Sequence, residues 1–290
     1  MNQFKNNYLS ALLIVLFFLI ISFTAGAAEK DHSQRQMTGM SGMSNMPQER
    51  IVQMDIAMGK MIYKMTCIYC HGAQGRGDGP AASFIGPYSA PRPRDFQRGV
   101  FKFRSTKSGS LPTEFDLMRT VRDGIPGYMP SFRYLGREKL RKVVLYVTQF
   151  YKKKTERKMK KKGIPYEEIS IDHSVSFTHA SITRGEKLYI ELECFRCHGM
   201  EGKGDGPSAE GLKDDKGLSI RPADLTQPSA FKNGNNHEDI YRTIITGLSG
   251  TPMPSFANYF KDEGARAWDL VHYILSLSPD EEWTRMGVTK

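Results

Sequence analysis

Cysteine is scarce in this chain of 290 residues, which contains only four. So few cysteines exclude a small secreted fold held together by many disulfides. The composition also lacks the low hydrophobicity of a disordered chain, the strict glycine period of collagen and the many long apolar runs of a polytopic membrane protein. A chain of this length corresponds to about two domains. These absences leave an ordinary globular protein, in which the cysteines occur as two pairs.

One long apolar run is present, and it lies at the amino terminus. Lys5 precedes an uncharged stretch at residues 8–23, and small residues of the A-x-A type follow. We expect residues 1–27 to be a signal peptide, which places the mature chain in the periplasm. The alternative is that residues 8–28 stay uncleaved as a membrane anchor, because about 20 residues span a bilayer.

Each cysteine pair is followed by a histidine in the pattern C-x-x-C-H. The two motifs consist of Cys67, Cys70 and His71, and of Cys194, Cys197 and His198. On one helical turn, the cysteines lie on one side and can form thioethers with haem vinyl groups, while the histidine reaches the iron. The motifs therefore predict two covalently attached haem c groups. A thiol redox pair or a zinc site is the alternative, but zinc frameworks separate their halves by roughly 15–20 residues, far less than the spacing here.

The two motifs belong to a tandem repeat. The segment CIYCHGAQGRGDGPAA, from residue 67, and CFRCHGMEGKGDGPSA, from residue 194, share ten identities in sixteen positions without a gap. Flanking residues recur in the same order in both halves: Gly59 and Gly185, Tyr63 and Tyr189, Arg92 and Arg221, Arg119 and Arg242, Met129 and Met253. We therefore expect one haem domain encoded twice.

A methionine lies at the same place in each repeat, 58 residues after His71 and 55 residues after His198. Both Met129 and Met253 precede Pro-Ser-Phe, and the nearby glycines and prolines predict an extended loop that can present a thioether inwards. We expect both to be axial iron ligands, which gives His/Met haems of raised potential. Core-filling methionines are the alternative. The competing ligands have no counterpart in the other repeat: His173, His179, His237 and His272.

Each half resembles a class I cytochrome c domain, and the chain is similar to exported dihaem c-type cytochromes over roughly residues 50–150 and 178–280. The resemblance implies an all-α fold of two tandem cytochrome c-like haem domains, in each of which an N-terminal helix crosses a C-terminal helix. It also implies that the carbonyls of Pro80 and Pro207 accept the ring N–H of the motif histidines. The Gly-Asp-Gly sequence before each proline is alternatively a simple turn.

Three further features bear on the haem domains. Arg92 and Arg221 are hypothetical partners of the haem propionates, with plain surface arginines as the alternative. Gly59 and Gly185 are expected to let helices approach closely. Four methionines at helical spacing before the first motif are expected to form a core stripe: Met54, Met58, Met61 and Met65.

These features give the domain organisation. We expect a signal peptide or anchor at 1–27, a methionine-rich flexible segment at 28–49, haem domains at 50–151 and 177–290, and a lysine-rich linker at 152–176. Within the flexible segment, methionine recurs every third residue from Met37 to Met46. Thioethers select Cu(I), so a copper site is conceivable there, although a spacer fits the composition better.

The lysine-rich linker carries most of the net charge. Residues 152–162 contain eight basic residues and one acidic residue. Because export excludes nucleic acid as a partner, the run predicts an acidic redox protein or an anionic membrane surface. A solvated linker or a helix extension is the alternative.

Together these observations predict an electron carrier that docks transiently with redox partners, rather than an enzyme. One alternative is a dihaem enzyme of the peroxidase or thiosulfate-oxidising type, which needs an iron with an open coordination position. Methionine in both repeats argues against it. Another alternative is the haem subunit of a membrane respiratory complex.

Overall fold

The computed structural model describes residues 46–84, 92–171, 176–261 and 263–279. The predicted signal peptide, the alternative anchor and most of the methionine-rich segment, including Met37, lie outside these residues. Contacts divide the chain into two units, Met1–Met54 and Asp55–Lys290. Both haem motifs lie in the second unit.

The described residues form helices and loops, with only isolated β-bridges and no strands. Within the ranges described, no helix has the length and apolar character needed to cross a bilayer. The α-helices are α1 Gln48–Thr66, α2 Ile68–His71, α3 Glu114–Asp123, α4 Gly136–Thr148, α5 Lys152–Lys162, α6 His179–Glu191, α7 Phe195–His198, α8 His237–Thr246 and α9 Gly264–Ser276. Short 3₁₀ turns lie at Pro80–Ser83, Phe96–Arg98, Arg133–Leu135 and Pro228–Ala230. The predicted all-α class is confirmed.

Each repeat is built around a close crossing of two helices. A Cβ atom on Gly59 would lie 2.0 Å from the carbonyl oxygen of Lys142 in α4, and one on Gly185 would lie 2.0 Å from that of Asp269 in α9. Any larger residue would therefore push the helices apart. The expectation that these glycines permit close approach is confirmed.

The methionines of α1 do not form the expected core stripe. Met54 is 49% exposed, Met58 44%, Met61 57% and Met65 73%. The buried residues of this helix are instead Asp55, Gly59, Ile62 and Tyr63. Both sets follow helical periodicity, so the pattern alone did not decide which face turns inwards. The prediction of a methionine core was wrong.

The lysine-rich segment is a helix that packs on the first repeat. Tyr151, Thr155 and Met159 recur every fourth residue and are buried, while the lysines of α5 are exposed. Met159 belongs to the first repeat's apolar core, and the main-chain N–H of Ile169 donates to the oxygen of Ser105 at 2.8 Å. The segment therefore has a defined conformation and displays its positive charge to solvent.

Direct contacts join the two repeats. Arg104 of the first repeat is fully buried, and its guanidinium donates to the carbonyl oxygen of Thr246 at 2.6 Å. Arg119 donates to both the main-chain and side-chain oxygens of Asn233 and also pairs with Asp239. At the surface, Arg98 pairs with Asp215 at 2.9 Å. This orientation could not be predicted from the sequence, because none of these pairs lies within one repeat.

Candidate haem site

Both C-x-x-C-H motifs form a single helical turn, α2 in the first repeat and α7 in the second. Cys67 and Cys194 directly precede these helices, and the N–H of each motif histidine donates to their carbonyl oxygens at 2.9 Å. One turn brings the two thiols and the imidazole to the same side. All four thiols are free, and burial raises the pKa of Cys194 to about 11. No disulfide blocks these thiols, which are therefore available for thioether formation.

The motif histidines are held in one tautomer by main-chain oxygens. Nδ1 of His71 lies 3.2 Å from the oxygen of Arg94, and Nδ1 of His198 lies 3.0 Å from that of Ala223. A carbonyl only accepts, so Nδ1 carries the hydrogen and Nε2 keeps a lone pair. Burial also lowers the pKa of His71 to about 4. Each imidazole is therefore neutral and suited to bind a metal through Nε2.

These acceptors correct the assignment of Pro80 and Pro207, both of which are exposed. The Gly-Asp-Gly segments fold back onto the motifs, so the N–H of Gly79 donates to the oxygen of Cys70 and that of Gly206 to the oxygen of Cys197, each at 3.2 Å. The following proline then faces solvent. The resemblance identified the right interaction, but the acceptor lies further along the chain, just after Pro93 or Pro222.

The two methionine loops are anchored identically. The N–H of Phe132 donates to the oxygen of Val121 in α3, and the N–H of Phe256 donates to the oxygen of Ile244 in α8, both at 3.1 Å. The hydroxyl of the intervening serine donates at 2.6 Å to a carbonyl at the end of the same helix, Ser131 to Arg122 and Ser255 to Ile245. The serine and phenylalanine of the recurring Met-Pro-Ser-Phe sequence therefore anchor the loop to the preceding helix by hydrogen bonds.

A glycine at the end of each of these helices makes room for the methionine loop. Gly124 and Gly247 have φ values of 75° and 64°, which non-glycine residues rarely adopt. A Cβ atom on Gly124 would lie 2.5 Å from the oxygen of Met129, and one on Gly247 would lie 2.6 Å from the carbonyl carbon of Pro254. The loop thus passes directly against the helix end.

One cavity of about 780 Å³ contains both sets of predicted ligands. It is lined by the thiol pairs, by the motif histidines and by both loop methionines: Cys67, Cys70, His71, Met129, Cys194, Cys197, His198 and Met253. Apolar residues of both cores, such as Leu117 and Leu270, complete the lining. Two thiols, a neutral imidazole and a thioether converging on an apolar space are the donor set of a covalently attached haem with His/Met ligation. The residues present therefore fit two haem c groups.

The cavity wall is also basic. Arg92 and Arg221 line it, and Arg92 additionally donates to the oxygen of Ala82 at 2.9 Å. Their role as propionate partners stays a prediction. Four further cationic residues line the same cavity: Arg94, Lys102, Arg196 and Lys232. Burial, followed by the nearby charge of Arg94, lowers the pKa of Lys102 to about 8. Sequence reasoning did not identify these residues. Alanine replaces Arg94 at position 223, whereas Lys102 and Lys232 each follow a phenylalanine in corresponding segments of the two repeats.

The competing histidines lie elsewhere. His179 is exposed at the start of α6, and His173 lies outside the described residues. His237 and His272 form a pair with ring centroids 6.2 Å apart, and Nδ1 of His272 lies 2.9 Å from the hydroxyl oxygen of Ser181. Neither is among the described residues that line the cavity.

Two family models match separate parts of the chain. Cytochrome c matches residues 182–278, and cytochrome C oxidase, cbb3-type, subunit III, matches residues 54–147. A chain in the solved structure of the reducing HAO-like protein complex of Kuenenia stuttgartiensis is also similar. It has 39% identity and a TM-score of 0.68, and the match covers 77% of this chain and 96% of that one. The search of curated proteins gave no match.

The two motifs, the helical architecture and the relative that is similar along nearly its whole length agree with one another. Haem-based electron transfer follows from the pair of cytochrome c domains. This chain belongs to the dihaem c-type cytochromes, with two tandem cytochrome c domains and two covalently attached haem c groups.

Proposed function

We propose that this cytochrome carries single electrons between redox proteins and transforms no substrate. The observation that carries the proposal is the pair of methionine loops, each tied to the preceding helix and lining the cavity that contains the motif histidines. A covalently held haem c supplies an iron that cycles between the ferrous and ferric states. Met129 and Met253 would hold each iron as its sixth ligand, which would leave neither iron a free position for a small molecule.

The protein's own residues keep this site rigid. The carbonyl oxygens of Arg94 and Ala223 fix the motif imidazoles, and the ring of Phe96 stacks on that of His71 with centroids 4.6 Å apart. A site that hardly moves between oxidation states exchanges electrons with little reorganisation. The contacts of Arg104 and Arg119 across the repeats hold both sites in one body, which favours electron transfer between them.

For partners, we propose a redox protein that forms a complex with this cytochrome. The similar Kuenenia stuttgartiensis chain occurs in a reducing HAO-like protein complex. The positive charge of α5 favours an acidic partner through long-range attraction, and an anionic membrane surface is a further candidate. The sequence pattern of residues 1–27 favours export to the periplasm, where such partners would meet the protein.

Carbon monoxide tests the proposal directly, because it binds ferrous haem that has an open position. The reduced holoprotein should keep its visible spectrum after addition of carbon monoxide, and it should not turn over hydrogen peroxide or thiosulfate. A spectral shift at either haem, together with turnover, would favour the dihaem enzyme instead. Replacement of Met129 by alanine provides the positive control, since it should create one carbon monoxide-binding haem.

A further inference from the structure

The exposed face of α1 and α2 carries four large apolar side chains in a row. Met58, Met61, Met65 and Tyr69 are 44%, 57%, 73% and 60% exposed. Their spacing of three or four residues places them along one side of the helix, and Tyr69 lies between the two cysteines of the first haem motif. We call these four residues the methionine face.

The corresponding face of the second repeat consists of polar and charged residues. The residues aligned with the methionine face are Arg184, Lys187, Glu191 and Arg196, all of which are exposed. Three of them are held in local polar contacts: Arg184 pairs with Asp269, Arg196 pairs with Glu193, and Glu191 accepts from the hydroxyl of Tyr259. Because the two repeats share their fold, the fold itself does not require methionine at these positions.

Two lysines run beside the methionine face. Lys60 and Lys64 are exposed, one residue before Met61 and Met65, and neither forms an ion pair among the described residues. An apolar strip bordered by unpaired positive charge matches a partner surface with an apolar centre and a carboxylate rim. Methionine suits such a surface, since its flexible thioether adapts to the shape of the partner.

We propose that the methionine face is the surface on which the redox partner docks. The occupant is a redox protein whose contact surface is apolar at its centre and acidic at its rim. Since the face ends at Tyr69, within the first motif, such a partner would lie beside the first haem rather than the second. Electrons would therefore enter or leave through the first repeat. This inference rests on the proposed function, because it names the site of the proposed docking.

The docking proposal is tested most directly by replacing three methionines of the methionine face with glutamine. The variant Met58→Gln/Met61→Gln/Met65→Gln keeps side-chain length and helix propensity, and its residues are exposed, so folding should be preserved. The variant Glu186→Gln/Lys187→Gln on α6 is the matched control in the second repeat. Visible spectra and thermal unfolding of each holoprotein establish that the haem sites are intact before any comparison is made.

The probe is the other protein of the Kuenenia stuttgartiensis reducing HAO-like protein complex, purified without the chain that is similar to this one. Electron exchange between this probe and the full-length holoprotein is followed by stopped flow. The triple variant should raise the concentration of probe for half-maximal rate by about tenfold or more, and the α6 variant should not. A variant Lys60→Gln/Lys64→Gln should weaken the dependence of the rate on ionic strength.

Several results would overturn the docking proposal. If the triple variant reacts like the wild type, the face is not used, although electron transfer to the probe stands. If the wild type does not react with the probe but is reduced by hexaammineruthenium, both the docking proposal and the choice of partner are wrong. If sedimentation shows that the wild type is a dimer and the triple variant a monomer, the occupant of the face is a second copy of this chain. If deletion of residues 37–46 increases the exposure of the face, the occupant is that segment of the same chain. If hexaammineruthenium reduces neither haem, the proposed function fails.

Discussion

Nδ1 of His71 lies 3.2 Å from the main-chain oxygen of Arg94, and the corresponding pair in the second repeat is His198 and Ala223, at 3.0 Å. The side chains of the two acceptor residues differ in size and charge, yet the interaction is the same. The main-chain carbonyl therefore occupies the same position relative to the imidazole in both repeats. The side chain of the residue that supplies this carbonyl differs between the repeats. Hydrogen bonding of this kind fixes the tautomer and raises the basicity of the metal-binding nitrogen.

The first prediction concerns Pro80. Replacement of Pro80 by alanine should leave the midpoint potential of the first haem unchanged, because Pro80 is exposed and the oxygen of Arg94 is the hydrogen-bond acceptor of the imidazole. Protein-film voltammetry measures both potentials, and Pro207→Ala is the matched variant in the second repeat. A fall in the potential of only the haem in the mutated repeat would restore proline as the hydrogen-bond acceptor.

The second prediction concerns the helix crossing. Replacement of Gly59 by alanine should lower the free energy of unfolding by about 1–3 kcal/mol, because the new methyl group would collide with the oxygen of Lys142. Denaturant titration of the holoprotein measures the change. Lys60→Ala, one residue away on the exposed side of α1, should alter stability by less than about 0.5 kcal/mol. Equal effects of both substitutions would mean that the crossing is not tight.

The third prediction concerns acid stability. Burial, followed by the neighbouring His237, lowers the pKa of His272 to about 4, and Asp269 and Arg184 also face it. In the unfolded chain this histidine gains a proton near pH 6.5, whereas in the folded chain it stays neutral. Stability should therefore be full above pH 6.5 and fall progressively from pH 6.5 towards pH 4.

His272→Asn tests this dependence, since an amide can replace Nδ1 as the partner of Ser181 but does not titrate. The variant should be less stable than the wild type at pH 7 and should lose less stability between pH 6.5 and pH 4. Chemical denaturation across this range measures the slope, with the exposed His179→Asn as control. An unchanged slope in His272→Asn would show that other groups govern acid unfolding.

The fourth prediction concerns the contact between repeats. Replacement of Arg104 by methionine should leave the oxygen of Thr246 without a donor, at a cost of about 1–3 kcal/mol, and should loosen the two repeats. Small-angle scattering should then show a larger radius of gyration. Arg98→Gln removes a more exposed ion pair and should change little. A compact Arg104→Met variant would mean that other contacts fix the orientation.

Sequence reasoning found the residues that recur. The motif cysteines and histidines and the two loop methionines were identified because each has a partner in the other repeat, and the structure gathers them around one cavity. The close crossing at Gly59 and Gly185 followed for the same reason, whereas the helical class followed from the resemblance to class I cytochrome c domains. Short-range spacing and internal repetition are properties that a sequence displays directly.

Features that depend on tertiary contacts were missed. The pattern of α1 could not show that Met58, Met61 and Met65 face solvent, because Ile62 and Tyr63 follow a competing helical face. The acceptors of the motif histidines are main-chain atoms, which leave no signature in residue type. The pairing of Arg104 with Thr246 joins residues far apart in the chain, and nothing in either local sequence points to the other.

A redox titration of the purified holoprotein, followed by optical and magnetic spectroscopy, tests the central claim most directly. The account predicts two haems per chain, both low-spin and six-coordinate in each oxidation state, with the spectral signature of His/Met ligation and raised potentials. It is contradicted by a single haem, by a high-spin iron in the resting protein, or by bis-histidine signals at either site.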